Sequence, residues 1–195
     1  ELGLFSLPFT ILCFLLIINA LNMFDGINYQ FGIFSLIAIL FLLLNGFNVL
    51  LCLIIIIYLT SFLLLNHNSK VFMGDNGTIP FAVLLGSLII EAYNSQIILY
   101  SDYIFILLCI PGFDLLRLSI LRFKKHGNMF LPDNNHIHHL LITRFSIYHS
   151  NIIIALMTII PVFLVSNVFF KFHSLIIIVA IASIYLYLIV CLTRS

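Results

Sequence analysis

The sequence predicts an all-α fold, that of a polytopic integral membrane protein with about seven transmembrane helices. Hydrophobic residues make up 63% of its 195 residues and charged residues 8%, whereas soluble globular chains average about 45–50% and about 25%. The mean hydropathy is +1.25. A soluble fold could not hide this much apolar surface, because a domain of about 150–200 residues still exposes about 30% of the surface of its unfolded chain.

Long apolar runs define the predicted spans. The first run, residues 2–21, has the length of one spanning helix, which needs about 20 residues. Three further runs are too long for one helix, since residues 29–65 alone would reach about 55 Å across a core of about 30 Å. Each of these runs is therefore divided into two spans by a polar break, at residues 45–48, 91–102 and 167–171. Residues 1–195 are interpreted as a single membrane-embedded domain with a loop at about 113–150.

Basic residues distinguish the two faces of the predicted bundle. Seven spans give six connections that alternate between the faces, and Lys171 alone of the eight Lys and Arg residues falls on the second face. The other seven are Lys70, Arg117, Arg122, Lys124, Lys125, Arg144 and Arg194. Because cytoplasmic connections are enriched in Lys and Arg, the first face is predicted to be cytoplasmic. The net charge of +1 says little about partners, and no nucleic-acid partner is expected.

The first polar segment on this face ends the first predicted span. Asn19, Asn22 and Asp25 are spaced at i, i+3 and i+6, which places them on roughly one face of a helix. Polar groups on an apolar helix are costly unless they meet a polar partner. Two interpretations remain open here: a helix end wetted at the membrane interface, with Gly26 as its C-cap, or part of a binding site.

The second segment, Gly74-Asp75-Asn76-Gly77, joins two spans and precedes Pro80. We expect Pro80 in the first turn of the following helix, where its missing N–H is harmless. A helix N-terminus favours phosphate, and a divalent cation would allow Asp75 to lie beside an anion. Mg²⁺ commonly takes one or two carboxylates and completes its shell with water and phosphate oxygens. The alternative is that Asp75 simply caps a helix in an interhelical turn.

The third segment is the long loop. Residues 114–125 predict a helix that leaves the bilayer and ends at Gly127. Its basic edge is expected to contact anionic lipid headgroups, and its members are Arg117, Arg122, Lys124 and Lys125.

Three histidines follow within four residues. On a helix, His136 and His139 would share a face while His138 points elsewhere. This separation and the absence of a nearby cysteine argue against tetrahedral zinc. The cluster is better suited to donating hydrogen bonds to phosphate oxygens or to carrying protons near neutral pH.

Taken together, the three segments resemble the polyprenyl-phosphate N-acetylhexosamine-1-phosphate transferases, glycosyltransferase family 4. The resemblance is carried by Asn19-x-x-Asn22-x-x-Asp25-Gly26-x-Asn28, by Phe72-Met73-Gly74-Asp75-x-Gly77, and by Pro132-Asp133-x-x-His136-Ile137-His138-His139. Relatives have about ten or eleven spans and an early Asp-Asp motif, which this sequence lacks. The chain is therefore expected to be the C-terminal portion of such an enzyme, with little turnover alone. A further departure is Asn28-Tyr29, where many members have Asp-Gly.

The resemblance implies a reaction and a set of roles. A polyprenyl phosphate would attack the β-phosphorus of a UDP-sugar, with N-acetylglucosamine as the expected sugar, at the cytoplasmic side of the bacterial plasma membrane. The implied partners are the UDP-sugar, the polyprenyl phosphate and membrane lipid, and a homodimer is left open. Asp75 would ligate the cofactor Mg²⁺ and act in catalysis with the three histidines. The implied substrate-binding residues are Asn19, Asn22, Asp25, Asn28, Phe72, as a platform for uracil, and Arg144.

Two other classes of protein compete with this interpretation. A transporter or assembly partner would use polar residues to line a passage, but transporters place ionisable groups near the bilayer midplane. Here nearly all such groups are predicted at the ends of spans. The third possibility is a degenerate, non-catalytic remnant of the family.

Overall fold

The structure, a computed structural model, describes residues 3–67, 69–98, 100–129, 135–166 and 173–193. Within these ranges the chain forms α-helices, preceded by a short 3₁₀ turn, and no strand. The helices are α1 (Ser6–Phe24), α2 (Gln30–Leu44), α3 (Val49–His67), α4 (Gly74–Asn94), α5 (Ser101–His126), α6 (Ile137–Ile142), α7 (Ile147–Ser166) and α8 (Ser174–Thr193). The predicted all-α class is confirmed.

Helix lengths agree with a polytopic membrane protein. Six of the described helices are long and apolar enough to cross a bilayer, and α2 is a shorter apolar helix of 15 residues, about 22 Å long. The predicted break at residues 45–48 separates α2 from α3, where Gly46 adopts a φ of 85°. The second break lies between α4 and α5, inside the predicted range 91–102. The third break, with Lys171, lies outside the described residues, as does Arg194.

Helix α5 is longer than the predicted fifth span. It runs for 26 residues without interruption, about 39 Å, and so joins that span to the predicted helix over residues 114–125. Pro111 lies inside it, and Gly127 ends it in the left-handed conformation with a φ of 68°, as predicted. The loop expected from about residue 113 therefore begins at residue 127.

The helices pack so that three connections meet at one end of the bundle. Helix α1 packs against α4 and α5, α2 against α3 and α7, and α5 against α7 and α8. Because successive spans run in opposite directions, the α1–α2, α3–α4 and α5–α7 connections share one end, which we call the motif face. The side-chain amide of Asn151 in α7 donates to the carbonyl of Asn28 at 2.9 Å.

Asn66 ties two of these connections together. Its Oδ1 accepts from the N–H of Tyr29 at 2.7 Å, and its Nδ2 donates to the carbonyl of Val71 at 2.8 Å. Tyr29 has a φ of 73°, a conformation that costs a non-glycine residue roughly 1–2 kcal/mol. Asn28 adds a bond from Nδ2 to the Ser69 hydroxyl at 2.8 Å. The α1–α2 and α3–α4 connections are thus held together by polar contacts.

We expect Asn66→Leu to destabilise the chain, because it leaves the Tyr29 N–H and the Val71 carbonyl without their partner. Both bonds are part-buried and a hydrogen bond contributes about 0.5–1.5 kcal/mol, so a loss of about 1–3 kcal/mol is expected from denaturant unfolding in detergent micelles. Asn94→Leu, at an exposed position on the opposite end of the bundle, is the control. An unchanged unfolding midpoint for Asn66→Leu would contradict the assignment.

Candidate functional site

The first two motifs meet where α1 ends and α4 begins. The Asn22 Oδ1 accepts a short hydrogen bond from the hydroxyl of Thr78 in α4. Asp25 is the C-cap residue of α1, whereas one of the two interpretations of the sequence placed the C-cap at Gly26. The Asp25 N–H donates to the Asn22 carbonyl at 3.3 Å. The backbone N–H of Gly74 is near enough to the Asp25 carboxylate to lower its pKa. These contacts place the end of α1 directly against the start of α4.

The prediction that Pro80 lies in the first turn of the following helix is wrong. Helix α4 begins at Gly74, so Pro80 is its seventh residue. A proline there removes the bond to the carbonyl of Asn76, still near the helix N-terminus, which limits the loss. Because α4 begins at Gly74, Asp75 lies in the first helical turn, where the helix dipole stabilises a negative charge.

Asp25 and Asp75 form a pair of neighbouring carboxylates. Burial raises the pKa of Asp25 above its ordinary value, the Gly74 N–H lowers it, and the charge of Asp75 raises it again. Asp75 itself is exposed. Two carboxylate groups at one site suit a hard cation such as Mg²⁺, which takes oxygen ligands. No cluster of three or more His, Cys, Asp or Glu side chains suited to a metal occurs in the part of the chain that the structure describes.

The three histidines come together differently from the helical prediction. Their ring centroids lie 5.2 Å apart for His136 and His138, 4.3 Å for His138 and His139, and 6.0 Å for His136 and His139. The expectation that His138 points away from the other two is therefore wrong. Helical spacing does not apply because His136 precedes α6 with an extended backbone, at φ −60° and ψ 152°.

His138 brings the third motif into contact with the first. Its ring lies so close to Gly26 that a Cβ at position 26 would be 1.7 Å from Nε2. The side chain is 1% exposed, and neither ring nitrogen has a hydrogen-bond partner among the described residues. Burial, reinforced by the neighbouring His139 and His136, lowers the pKa of His138 to about 3. His138 is therefore a neutral imidazole in contact with the first motif.

A buried carboxylate in α5 anchors residues 135–139, which we call the histidine loop. Asp114 is 2% exposed and accepts from the Tyr185 hydroxyl and the Arg117 guanidinium, both at 2.7 Å. It also lies 3.1 Å from Nδ1 of His136 and accepts from the N–H of Ile137 at 3.2 Å. Neither Asp114 nor Tyr185 is among the site residues predicted from the sequence. The sequence did contain a signal for Asp114, because a carboxylate and an arginine three residues apart beside a predicted span indicate a functional ion pair.

The predicted basic edge of α5 divides into two parts. Arg117 donates to Asp114 and to the carbonyl of Asn135, and Arg122 is 8% exposed and lies 3.5 Å from Nε2 of His136. These two side chains therefore point into the protein, contrary to the expected contact with lipid headgroups. Lys124 and Lys125 are exposed, as expected.

The remaining predicted residues differ in position. Asn28 lies in the α1–α2 connection beside Ser69, and Phe72, 67% exposed, precedes the start of α4. Asn19 is exposed and its Nδ2 donates to the Leu15 carbonyl of its own helix at 2.7 Å. Arg144 lies 3.5 Å from the carbonyl of Leu192 at the end of α8, so the structure does not bring Asn19 or Arg144 into the site. Pro132 and Asp133 of the third motif lie outside the described residues.

Comparison with known proteins assigns the family. The profile described as glycosyl transferase family 4 matches residues 1–93. A "probable undecaprenyl-phosphate N-acetylglucosaminyl 1-phosphate transferase" of Bacillus subtilis is 31% identical over 179 residues, which cover 88% of this chain and 50% of the relative. The chain belongs to glycosyl transferase family 4.

Other family 4 relatives match over a shorter stretch. The "undecaprenyl-phosphate alpha-N-acetylglucosaminyl 1-phosphate transferases" of Salmonella typhi and Salmonella typhimurium are each 30% identical over 152 residues, covering 72% of this chain and 41% of the relative. The chain thus spans about half the length of the curated relatives it matches, or less. No solved structure matches it.

We expect Gly26→Ala to displace His138, because the added Cβ would lie 1.7 Å from Nε2 and 2.3 Å from Cε1 of that ring. Overpacking of a well-packed site typically costs about 1–3 kcal/mol, so a lower unfolding temperature in detergent is expected. Gly112→Ala in α5 is the matched control, since its Cβ would have no neighbour within 4 Å. Equal stability of both variants would show that the contact between Gly26 and His138 is not as described.

His138 also predicts a dependence of stability on pH. The unfolded chain takes up a proton at the ordinary histidine pKa of 6.5, whereas the folded chain does so only near a pKa of about 3. The unfolded state therefore binds more protons between these values, and stability rises with pH across this window. We expect the unfolding temperature of the wild type to fall more steeply than that of His138→Gln as the pH is lowered from 7 to 4. His126→Gln is the control, and parallel curves for all three proteins would refute the prediction.

Proposed function

We propose that the natural protein containing this chain transfers N-acetylglucosamine 1-phosphate from a UDP-sugar to a polyprenyl phosphate and releases UMP. The observation that carries the proposal is the convergence of three motifs, distant in sequence, at the motif face. The names of the matched relatives support undecaprenyl phosphate as the acceptor. In this proposal the reaction initiates the synthesis of a cell-envelope polysaccharide.

The proposed reaction exchanges one phosphoanhydride bond for another. An oxygen of the acceptor phosphate forms a bond with the β-phosphorus of the UDP-sugar. The bond between that phosphorus and the bridging oxygen breaks, and this oxygen leaves with UMP. Because both reactants are anions, the protein's main tasks are to hold them in line and to stabilise charge in the transition state.

Asp25 and Asp75 are the residues proposed to hold Mg²⁺. Two neighbouring carboxylates on their own would repel a diphosphate, and the arginines Arg117 and Arg122 are turned towards Asp114 and His136. When bound, Mg²⁺ neutralises phosphate charge and polarises the phosphorus–oxygen bonds. The Gly74 N–H, which lowers the pKa of Asp25, favours the charged form of that carboxylate at the start of α4.

The nucleotide is proposed to lie along the α1–α2 and α3–α4 connections. Asn22 and Asn28 supply amide groups there, and the exposed ring of Phe72 offers a flat apolar surface on which uracil can stack. Asn19 and Arg144 are weaker members of this set, because Asn19 donates to its own helix and Arg144 lies against α8.

His138 and His139 are proposed to contact the diphosphate or the sugar. A neutral imidazole offers one N–H donor and one acceptor, and the ring nitrogens of His138 have no described protein partner. His138 lies against Gly26, the residue that follows Asp25. A donor at this position is close to the proposed metal site and to the substrate phosphates that would occupy it.

The proposed location is the bacterial plasma membrane, with the motif face in the cytoplasm. Lys70, Lys124 and Lys125 are exposed at this end of the bundle, as the positive-inside rule requires of a cytoplasmic face. A soluble UDP-sugar and a membrane-dissolved acceptor can meet only at such an interface. The described polar residues of all three motifs lie there.

We expect Asp75→Asn to reduce UMP release by at least about 100-fold, because a metal ion contributes several kcal/mol to the stabilisation of charge in the transition state. The measurement is UMP release from UDP-N-acetylglucosamine and undecaprenyl phosphate, in membranes that contain the natural protein. Asp102→Asn is the matched control, since Asp102 lies at the opposite end of the bundle and accepts from Ser174.

Equal UMP release by the wild type and Asp75→Asn would discard the metal assignment. A wild-type protein that binds both substrates but releases no UMP would instead discard the proposed reaction.

A further inference from the structure

His136 is held on both sides of its ring by protein groups. Its Nδ1 lies 3.1 Å from Oδ2 of Asp114, and its Nε2 lies 3.5 Å from Nη2 of Arg122. A guanidinium can only donate hydrogen bonds, so Nε2 must act as the acceptor. The single proton of a neutral imidazole is then on Nδ1, where it is donated to Asp114. The two neighbours therefore select one tautomer of His136 and leave neither nitrogen for a substrate.

The Asp114 carboxylate is itself held in place by several hydrogen-bond donors. Its Oδ1 accepts from the hydroxyl of Tyr185 in α8 and from Arg117 in its own helix, both at 2.7 Å. Arg117 in turn donates through Nε to the Tyr185 hydroxyl at 2.9 Å. The backbone N–H of Ile137 lies 3.2 and 3.3 Å from the two oxygens of Asp114. One buried carboxylate thus fixes both the backbone and a side chain of the histidine loop.

The position of His136 determines the position of His138. The two rings are stacked, with an interplanar angle of 6° and centroids 5.2 Å apart. The Nε2 edge of the His138 ring meets Gly26. A shift of His136 would therefore move His138 relative to the α1–α2 connection, which carries Asp25.

We infer that Asp114 is a positioning residue for the transfer reaction. It fixes His136 as the Nδ1–H tautomer, and the stacked His136 ring places His138 beside the α1–α2 connection. His136 is then an anchor of the loop rather than a group that contacts substrate. This inference rests on the proposed function for its effect on rate, but its geometric part is independent of any activity.

The tautomer is tested by ¹⁵N NMR of the chain labelled at histidine, in detergent at neutral pH. The signals of His136 are assigned by their loss in His136→Asn. We expect one protonated nitrogen at Nδ1 and one unprotonated nitrogen at Nε2. In Asp114→Asn we expect this preference to weaken. If the amide oxygen keeps the bonds from Tyr185 and Arg117, the amide Nδ2 lies beside Nδ1 of His136 and donates to it, which favours a proton on Nε2 instead. A proton on Nε2, or protons on both nitrogens in the wild type, would overturn the inference.

The distinction between anchor and substrate contact is tested by conservative replacement. In His136→Asn the amide Nδ2 occupies the place of Nδ1 and can still donate to Asp114, whereas His136→Leu donates nothing. We expect His136→Asn to retain at least about tenfold more UMP release than His136→Leu, since a bond to a charged group is restored. His138→Asn is expected to lose activity as severely as His136→Leu. Equal activities of His136→Asn and His136→Leu would overturn the anchoring role.

His126→Asn, at the exposed end of α5, controls for the loss of a histidine and is expected to leave UMP release unchanged. Failure of the proposed function is recognised separately. If the wild type releases no UMP with both substrates bound, the transfer reaction is wrong, and the tautomer of His136 still decides whether Asp114 positions the loop.

Discussion

A carboxylate inside a membrane-spanning helix must find its hydrogen-bond donors within the protein, because the lipid offers none. Asp114 is the 14th of the 26 residues of α5, and its donors come from α5, from α8 and from the histidine loop. Removing one partner from such a group leaves a buried charge poorly compensated, which is costly. The need of Asp114 for these donors therefore holds α8 and the histidine loop against α5. The other contacts of the motif face depend on this arrangement.

The second constraint is the alternation of helix direction. Each span that crosses the bilayer reverses the chain, so the first, third and fifth connections between spans return to the same end. Asn22 and Thr78, 56 positions apart, bond there, and Gly26 meets His138 more than a hundred residues along the chain. Each contact is local to the motif face, although its partners are distant in sequence. The alternating direction of the helices thus brings the three motifs to the same end of the bundle.

The polar groups at the motif face are divided between two kinds of environment. Asp75 is exposed and Asp25 is half-buried, so both can face a soluble, charged ligand. His136 and His138 are buried. His136 contacts Asp114, and His138 packs against His136 and Gly26. The carboxylates are therefore open to exchange with water, whereas the two histidines depend on their protein neighbours for their positions.

The sequence alone determined the membrane class, the breaks between most spans, the end of α5 at Gly127 and the face that carries the motifs, because these depend on composition, run length and local turn chemistry. Only the tertiary structure decided how the histidines group, since His136 lies before α6 with an extended backbone. It also decided that Arg117 and Arg122 turn inward, because the side of a helix that is buried depends on which helices pack against it. The role of Asp114 follows from those neighbours, which local sequence does not specify.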